Sequence, residues 1–181
     1  MVAAKRVLRY LKGTPDLCVR YSRDSTLHGY SDASHSNDPN NYRCVSGFLY
    51  MFAGGPVTWS SKKQPVVALS SYESKYIALA YASQEAVYLS DLLSELTFPH
   101  FSSVQMYEDN MGALQLSGTT AFSSRTKHIC TRYHFLRELV ASTKIIVSHV
   151  KRTDQLADIF TKFLDYPNFK AILDKTINFA S

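Results

Sequence analysis

Apolar and polar residues alternate in the first third of the chain in a way that predicts β-strands. Residues 26–32 alternate in polarity, residues 45–53 form an apolar run, and residues 56–61 follow after two glycines. A period of two is typical of a strand with one buried face, and a short apolar run is typical of a strand buried on both faces. We therefore predict three antiparallel strands, joined by a polar loop at 36–41 and a hairpin turn at Gly54-Gly55-Pro56.

The rest of the chain alternates between helical and extended patterns. Between Ser71 and Leu96, apolar residues recur at helical spacing, which predicts one long helix. The other predicted elements are strands at 104–108 and 144–150, helices at 2–12, 110–116, 131–141, 155–163 and 167–177, and a loop at 118–127. Antiparallel strands followed by strands that alternate with helices predict an α/β domain with a mixed five-stranded sheet and helices on both faces.

Length and composition narrow the class of protein. The chain has 181 residues, of which 45% are hydrophobic and 19% charged, as expected for a globular domain. No apolar run approaches the ~20 residues that cross a membrane, so no membrane partner is expected. The net charge of +5 permits a polyanionic partner without requiring one. The three cysteines lie far apart without a C-x-x-C motif, which favours a reducing, intracellular compartment over a disulfide framework or a zinc site.

Four acidic residues stand where predicted elements begin or end. Asp32 and Asp109 close strands, Glu73 opens the long helix, and Asp158 lies in the first turn of a late helix. Each alone has a structural explanation: a turn, a capping box with Ser70, a helix N-cap, and a favourable interaction with a helix dipole. Together they can converge at one edge of the sheet, where like charges need cations beside them. Because Mg²⁺ prefers oxygen ligands, the four acids predict a magnesium site.

Basic residues flank these acids along the sequence. They are Lys62, Lys63, Arg125, Lys127, Arg132, Lys151 and Arg152. A basic rim around an acidic centre is what a metal-dependent nuclease needs to hold a phosphate backbone.

Eight short motifs follow one another in an order that points to one protein family. They are Gly29–Ala33 (GYSDA), Arg43–Phe48 (RCVSGF), Trp59–Pro65 (WSSKKQP), Ala68–Glu73 (ALSSYE), Glu108–Asn110 (EDN), Ser124–Ile129 (SRTKHI), Arg132–Phe135 (RYHF) and Gln155–Asp158 (QLAD). In this order they resemble the ribonuclease H domain of copia-type LTR retrotransposons. The run Ala4–Thr14 is similar to the segment that ends the reverse transcriptase of the same polyprotein.

The resemblance divides the chain into three parts. Residues 1–24 are expected to be a remnant of the reverse transcriptase C-terminal segment, 25–165 the ribonuclease H-like domain, and 166–181 a C-terminal helix or tail. The implied partners are an RNA/DNA hybrid and the reverse transcriptase domain of the same polyprotein. The implied location is the cytoplasm, in a retrotransposon particle, and the nucleus.

The same resemblance implies the ribonuclease H fold and an endonuclease that hydrolyses the RNA strand of RNA/DNA hybrids during reverse transcription. It implies that Asp32, Glu73, Asp109 and Asp158 are catalytic residues that hold two Mg²⁺ ions, for which Mn²⁺ can substitute. Two such ions can clamp the attacking and leaving oxygens of a phosphoryl displacement.

Candidate substrate contacts lie in or beside the same motifs. They are Lys62, Lys63, Ser70, Ser71, Asn110, Arg125, Lys127 and His128. The basic members would hold phosphates, and the backbone near Ser70 would help to read the 2′-hydroxyl that separates RNA from DNA. His128 has three interpretations that the sequence leaves open: a catalytic proton shuttle, a phosphate contact, or a packed residue of the fold.

Three departures from the family pattern lie near these acids. Ser34-His35-Ser36 replaces a bulky residue and a glycine, Lys75 replaces the second acid of the pattern S-x-E-A-E-Y, and Cys130 replaces an aspartate. All four acids are kept, which favours catalysis, but a hybrid-binding module without catalysis, decayed or adopted by a host, is the alternative. An integrase or transposase is disfavoured because those enzymes place their glutamate last, whereas Glu73 comes second.

Overall fold

The computed structural model describes residues 2–23, 26–34, 41–96, 103–110 and 130–179, apart from the side chains of 130–133 and 178–179. The elements in chain order are α1 (Val2–Gly13), β1 (Leu17–Cys18), β2 (His28–Ala33), β3 (Val45–Phe52), β4 (Gly55–Lys63), α2 (Ser71–Glu95), β5 (Val104–Glu108), α3 (Cys130–Ala141), β6 (Ile145–His149), two 3-10 helices (Arg152–Asp154 and Leu156–Phe160), α4 (Tyr166–Thr176) and β7 (Asn178–Phe179). The sequence predictions for 111–129, which include Arg125, Lys127 and His128, lie outside the described residues.

The five longer strands form one mixed sheet in the order β4-β3-β2-β5-β6. β2 pairs antiparallel with β3, and β3 with β4, whereas β2 pairs parallel with β5, and β5 with β6. The turn between β3 and β4 lies at Ala53 and Gly54, both with positive φ, one residue before the predicted position. The predicted mixed five-stranded sheet is confirmed.

The apolar run of β3 explains why both faces of the sheet are covered. Successive side chains of a strand point to opposite faces. Phe48 and Tyr50 accordingly belong to the larger core, which includes residues of α2 and α3. Leu49 and Met51 belong to a smaller core with residues of the second 3-10 helix and of α4. Helical elements therefore lie on both faces, as predicted.

The helix predicted at 155–163 is present but shorter. This segment forms the 3-10 helix Leu156–Phe160, with hydrogen bonds from Asp158 N to Gln155 O and from Thr161 N to Asp158 O. The Gln155 side chain holds the segment against the sheet, because its buried Nε2 donates to Ser31 O at 3.0 Å. A tighter helix thereby sets the position of Asp158.

The two ends of the described chain contact each other. β1 pairs antiparallel with β7 in a two-stranded ribbon that the sequence did not predict. α1 is a helix as predicted, and its apolar residues Val7, Leu8 and Leu11 are exposed. In the part of the chain described, no helix combines the length and apolar character that crossing a membrane requires.

A methyl group at Gly29 should disrupt the centre of the sheet. A Cβ there would lie 2.8 Å from both Tyr50 Cδ1 and Met106 Sδ. Tyr50 cannot move away easily, because its fully buried hydroxyl donates to Ala82 O at 2.6 Å. Gly29→Ala should therefore lower the free energy of unfolding by about 1–3 kcal/mol in a urea titration.

Gly13→Ala is the matched control, because nothing lies within 4 Å of a Cβ at that helical position. Its stability should equal or exceed that of the unsubstituted protein. Equal stability of the two alanine variants would show that the packing around Gly29 is looser than described.

Candidate metal centre

Parallel pairing of β2 with β5 brings two of the predicted acids side by side. Tyr30 pairs with Tyr107 in this ladder, and Asp32 and Asp109 each lie two residues further along. Asp32 is fully buried, whereas Asp109 follows the last residue of β5 and is partly exposed. The two carboxylates therefore meet at the edge where both strands end.

Asp158 joins them from the second 3-10 helix, which packs on the face of the sheet that also holds Tyr30. It lies in the 3-10 helix Leu156–Phe160 and is buried. Oxygen atoms of Asp32, Asp109 and Asp158 lie within 4.8 Å of one another. Three of the four predicted acids thus form one compact cluster, which we call the aspartate cluster.

Glu73 is not part of this cluster. Its Oε2 accepts a hydrogen bond of 2.7 Å from Leu69 N, and its own N–H donates to Ser70 Oγ at 3.2 Å. The bond from Glu73 N to Ser70 Oγ is one half of a capping box at the start of α2, and the Glu73 carboxylate bonds the N–H one residue before the N-cap. Glu73 therefore points back along the chain, and the structure differs from the predicted quartet at this residue.

Lys75, two residues after Glu73 on α2, contacts the aspartate cluster. Its Nζ donates to Asp32 Oδ1 at 2.7 Å and also donates to Asp109 Oδ1. Only 12% of the Lys75 side chain is exposed. Residues two apart on an α-helix differ by about 200° around its axis, so Glu73 and Lys75 point in nearly opposite directions.

A second amine lies on the other side of the aspartate cluster. Lys162 Nζ is 2.6 Å from Asp158 Oδ1 and 3.2 Å from Asp32 Oδ2. The hydroxyl of Thr161 donates to Asp32 Oδ2 as well. Each oxygen of Asp32 is therefore engaged by side chains of this chain.

The charges of the cluster act on one another through these contacts. Burial alone would raise the pKa of Asp32, but Lys75 and Lys162 hold that pKa below its usual value. Burial raises the pKa of Asp158, and the Asp32 charge adds to this although Lys162 opposes it. Burial would lower the pKa of Lys75, but the Asp32 carboxylate raises it above the usual value of lysine. Lys75 is thus a positively charged ammonium group at neutral pH.

Glu108 is a further acid at this site that the sequence did not single out. It is fully buried, accepts a hydrogen bond of 3.0 Å from Ser31 Oγ, and lies 3.7 Å from Lys75 Nζ. Burial raises the pKa of Glu108 well above its usual value; Lys75 opposes this shift, and the hydrogen bond with Asp109 reinforces it. The uncharged form of Glu108 is therefore favoured more strongly in the folded state than in the unfolded chain.

The predicted substrate residues fall into two groups in the described structure. Ser70 is the N-cap of α2 and Ser71 its first residue, whereas Asn110 lies beside the cluster, because its N–H donates to Glu108 Oε1 at 3.2 Å. Lys62 and Lys63 end β4 and line a separate cavity of about 300 Å³.

Relatives are found among retrotransposon polyproteins. The chain is 42% identical over 170 residues to the retrovirus-related Pol polyprotein from transposon RE2 of Arabidopsis thaliana, an alignment that covers 93% of this chain and 12% of the polyprotein. It is 40% identical over 175 residues to the Pol polyprotein from transposon RE1 of the same plant, covering 96% and 12%. The chain thus spans only a small part of these relatives. No protein-family model matches it.

Solved structures agree with the fold. LC11-RNase H1, isolated from compost, superimposes with a TM-score of 0.55 and 18% identity, covering 76% of this chain and 93% of that chain. The same protein in complex with an RNA/DNA hybrid gives 0.50 and 15%, covering 75% and 94%. The chain is a retrotransposon Pol relative with the ribonuclease H fold. This confirms the resemblance inferred from the eight motifs.

The aspartate cluster of this Pol-type domain has the type of ligand that a divalent ion prefers, but its negative charge is already compensated by two amines. Three carboxylates within 4.8 Å of one another are hard oxygen ligands suited to Mg²⁺ or Mn²⁺. Lys75 and Lys162, however, already bind oxygens of all three aspartates. A pair of divalent ions therefore does not fit the cluster while both amines hold these positions.

The sequence predicted the three aspartates but not the side chains that bind them. Lys162 follows Asp158 by four residues, a spacing at which helical side chains meet, so a signal was present. The predicted capping box of Ser70 and Glu73 already implied that the Glu73 carboxylate is occupied. Nothing local in the sequence shows that Glu108 is buried beside Lys75.

The raised pKa of Glu108 predicts a pH effect on stability with a definite sign. Because the pKa of Glu108 is higher in the folded state, folding stability falls as pH rises from the unfolded value of about 4.3. Glu108→Gln keeps an uncharged side chain of similar size. Relative to the unsubstituted protein it should therefore gain stability between about pH 5 and pH 8, by about 1.4 kcal/mol per unit of pKa shift.

Urea titrations at the two pH values measure this difference. Glu95→Gln, at an exposed glutamate at the end of α2, serves as the control. A Glu108→Gln variant whose stability changes with pH in parallel with the unsubstituted protein would contradict the raised pKa of Glu108.

Proposed function

We propose that this chain is a ribonuclease H-type domain that binds RNA/DNA hybrids, and that in a catalytically active form of the domain the aspartate cluster would be the centre at which a divalent metal serves hydrolysis of the RNA strand. The observation that carries the proposal is the convergence of Asp32, Asp109 and Asp158 at one edge of a sheet with ribonuclease H topology. In the larger polyprotein the domain would act together with the reverse transcriptase.

Two comparisons support a hybrid as the ligand. The relatives are named as Pol polyproteins from transposons, and LC11-RNase H1, which shares the fold, has been solved in complex with an RNA/DNA hybrid. The net charge of +5 suits a polyanion, and the exposed Lys62 and Lys63 provide positive charge on the sheet edge. Arg125, Lys127 and His128 are further proposed phosphate contacts.

Reading the RNA strand requires polar groups near the 2′-hydroxyl. Ser70, Ser71 and Asn110 are the proposed candidates, because they adjoin the residues that hold the cluster together. The Ser70 hydroxyl accepts from Glu73 N and keeps its own hydrogen, which it can donate to a bound strand.

A specific observation favours the second candidate function, hybrid binding without hydrolysis. Lys75 and Lys162 neutralise most of the negative charge of the aspartate cluster, which lessens its repulsion of nucleic-acid phosphates. The same amines occupy the oxygens that a metal would need. For the chain as it stands, we therefore propose that hybrid is bound and left uncut.

Binding should be tested by gel shift with an RNA/DNA hybrid, a DNA duplex and an RNA duplex of equal length, with and without Mg²⁺. The hybrid should be preferred, and it should remain intact. Lys62→Glu with Lys63→Glu should weaken binding and reduce the slope of log affinity against log salt by about one per lysine.

Lys144→Glu makes the charge change of one of these two substitutions at an exposed residue at the other end of the sheet, before β6, and should leave binding unchanged. Equal affinity for the hybrid and the two homoduplexes would refute hybrid recognition. Metal-dependent cutting of the hybrid would instead restore hydrolysis as the function of the unsubstituted chain.

A further inference from the structure

The position of Lys75 is that of a ligand-bridging cation. Its Nζ is 2.7 Å from Asp32 Oδ1 and also bonds Asp109 Oδ1, so one positive charge lies between the two carboxylates at the strand ends. A third acid, Glu108, lies 3.7 Å away. Buried ammonium groups are rare unless paired in this way.

The helix geometry explains why this residue, and not Glu73, determines the state of the cluster. Glu73 is bound to Leu69 N at the helix start. Lys75, two residues later on α2, points into the cluster and donates to Asp32 Oδ1. An acid at position 75 would thus add a fourth carboxylate to the three aspartates.

Electrostatic repulsion prevents the Lys75 ammonium and a divalent ion from lying together between Asp32 and Asp109. A divalent ion placed beside the Lys75 ammonium would experience repulsion at close range in a poorly hydrated site, where such interactions are strong. Removing the Lys75 ammonium takes away the amine that bonds Asp109 and leaves Asp32 with Lys162 alone among the described amines. The cluster then needs a different cation.

We propose that the Lys75 ammonium takes the place of a divalent cation between Asp32 and Asp109, so that this chain is held in a metal-free, non-hydrolysing state that the single substitution Lys75→Glu reverses. The inference rests on the proposed function, since hydrolysis of a hybrid is the activity that would return. Lys75 is here a blocking residue, and the three aspartates remain the metal-binding residues.

Metal binding is the first readout and is independent of activity. The melting temperature of the unsubstituted protein should not change on addition of about 10 mM Mg²⁺, whereas that of Lys75→Glu should rise, because an ion that binds only the folded state stabilises it. Mn²⁺ titrated by electron paramagnetic resonance should bind Lys75→Glu at least about tenfold more tightly. Lys144→Glu, which has the same change of charge at the other end of the sheet, should behave like the unsubstituted protein.

Cleavage is the second readout. Lys75→Glu should cut the RNA strand of a labelled hybrid in Mg²⁺ or Mn²⁺, whereas the unsubstituted protein should not. In the Lys75→Glu background, Asp109→Asn should abolish both Mn²⁺ binding and cleavage. Glu73→Gln in that background should retain Mn²⁺ binding, since Glu73 lies outside the cluster.

The outcomes separate the inference from the proposed function. Mg²⁺ stabilisation of the unsubstituted protein equal to that of Lys75→Glu would overturn the inference, and so would a Lys75→Glu protein that binds no Mn²⁺. Lys75→Glu that binds Mn²⁺ and hybrid but cuts nothing would uphold the blocking role and refute hydrolysis as the function. If Lys75→Glu does not fold, Lys75→Gln, which removes the ammonium without adding charge, is subjected to the same metal titration and judged by the same criteria.

Discussion

Compensation of negative charge is the constraint on which this structure depends. Three carboxylates within 4.8 Å of one another, two of them buried, repel each other unless positive charge lies among them. Lys75 and Lys162 provide that charge from the chain itself. Because a covalently attached ammonium is always present, the folded state does not need a dissolved ion to tolerate its own aspartates.

Three kinds of backbone support hold these charges in register. The parallel β2–β5 ladder fixes Asp32 beside Asp109, the 3-10 helix Leu156–Phe160 fixes Asp158, and the start of α2 fixes Lys75. The 3-10 helix is joined to β2 by the hydrogen bond from Gln155 Nε2 to Ser31 O. α2 is joined to β3, the neighbour of β2, by Gln64, whose Nε2 donates both to Ser46 Oγ and to Ser74 O. The site is thus an outcome of the whole sheet and of the elements on both of its faces.

The sheet was predicted from the sequence, and so was the convergence of three of the four proposed acids, for a common reason. Strand ends and element starts are visible in the polarity pattern, so Asp32, Asp109 and Asp158 could be placed at one edge before any coordinates were known. Glu73 differed because the Leu69 N–H offered its carboxylate a competing local hydrogen bond, and such a contact at a helix start forms within a few residues of chain.

The contacts that set the state of the site could not be read in the same way. Lys75 meets Asp32 across 43 residues of sequence, and Thr161 meets it across 129. Which long side chain fills a gap between distant segments depends on packing in three dimensions, and polarity patterns carry no information about it. The helix type of 155–160 was missed for a similar reason, since the buried bond from Gln155 to Ser31 spans 124 residues.

The ribbon of β1 with β7 joins residues from nearly opposite ends of the described chain, Leu17 with Phe179. Bringing such remote segments together costs more chain entropy than closing a hairpin, and two short strands return little in exchange. This ribbon should therefore form late in folding, after the sheet and α2 have assembled. It should also be among the first regions to open in the native state, so amide hydrogens there would exchange well before those of β2 or β3.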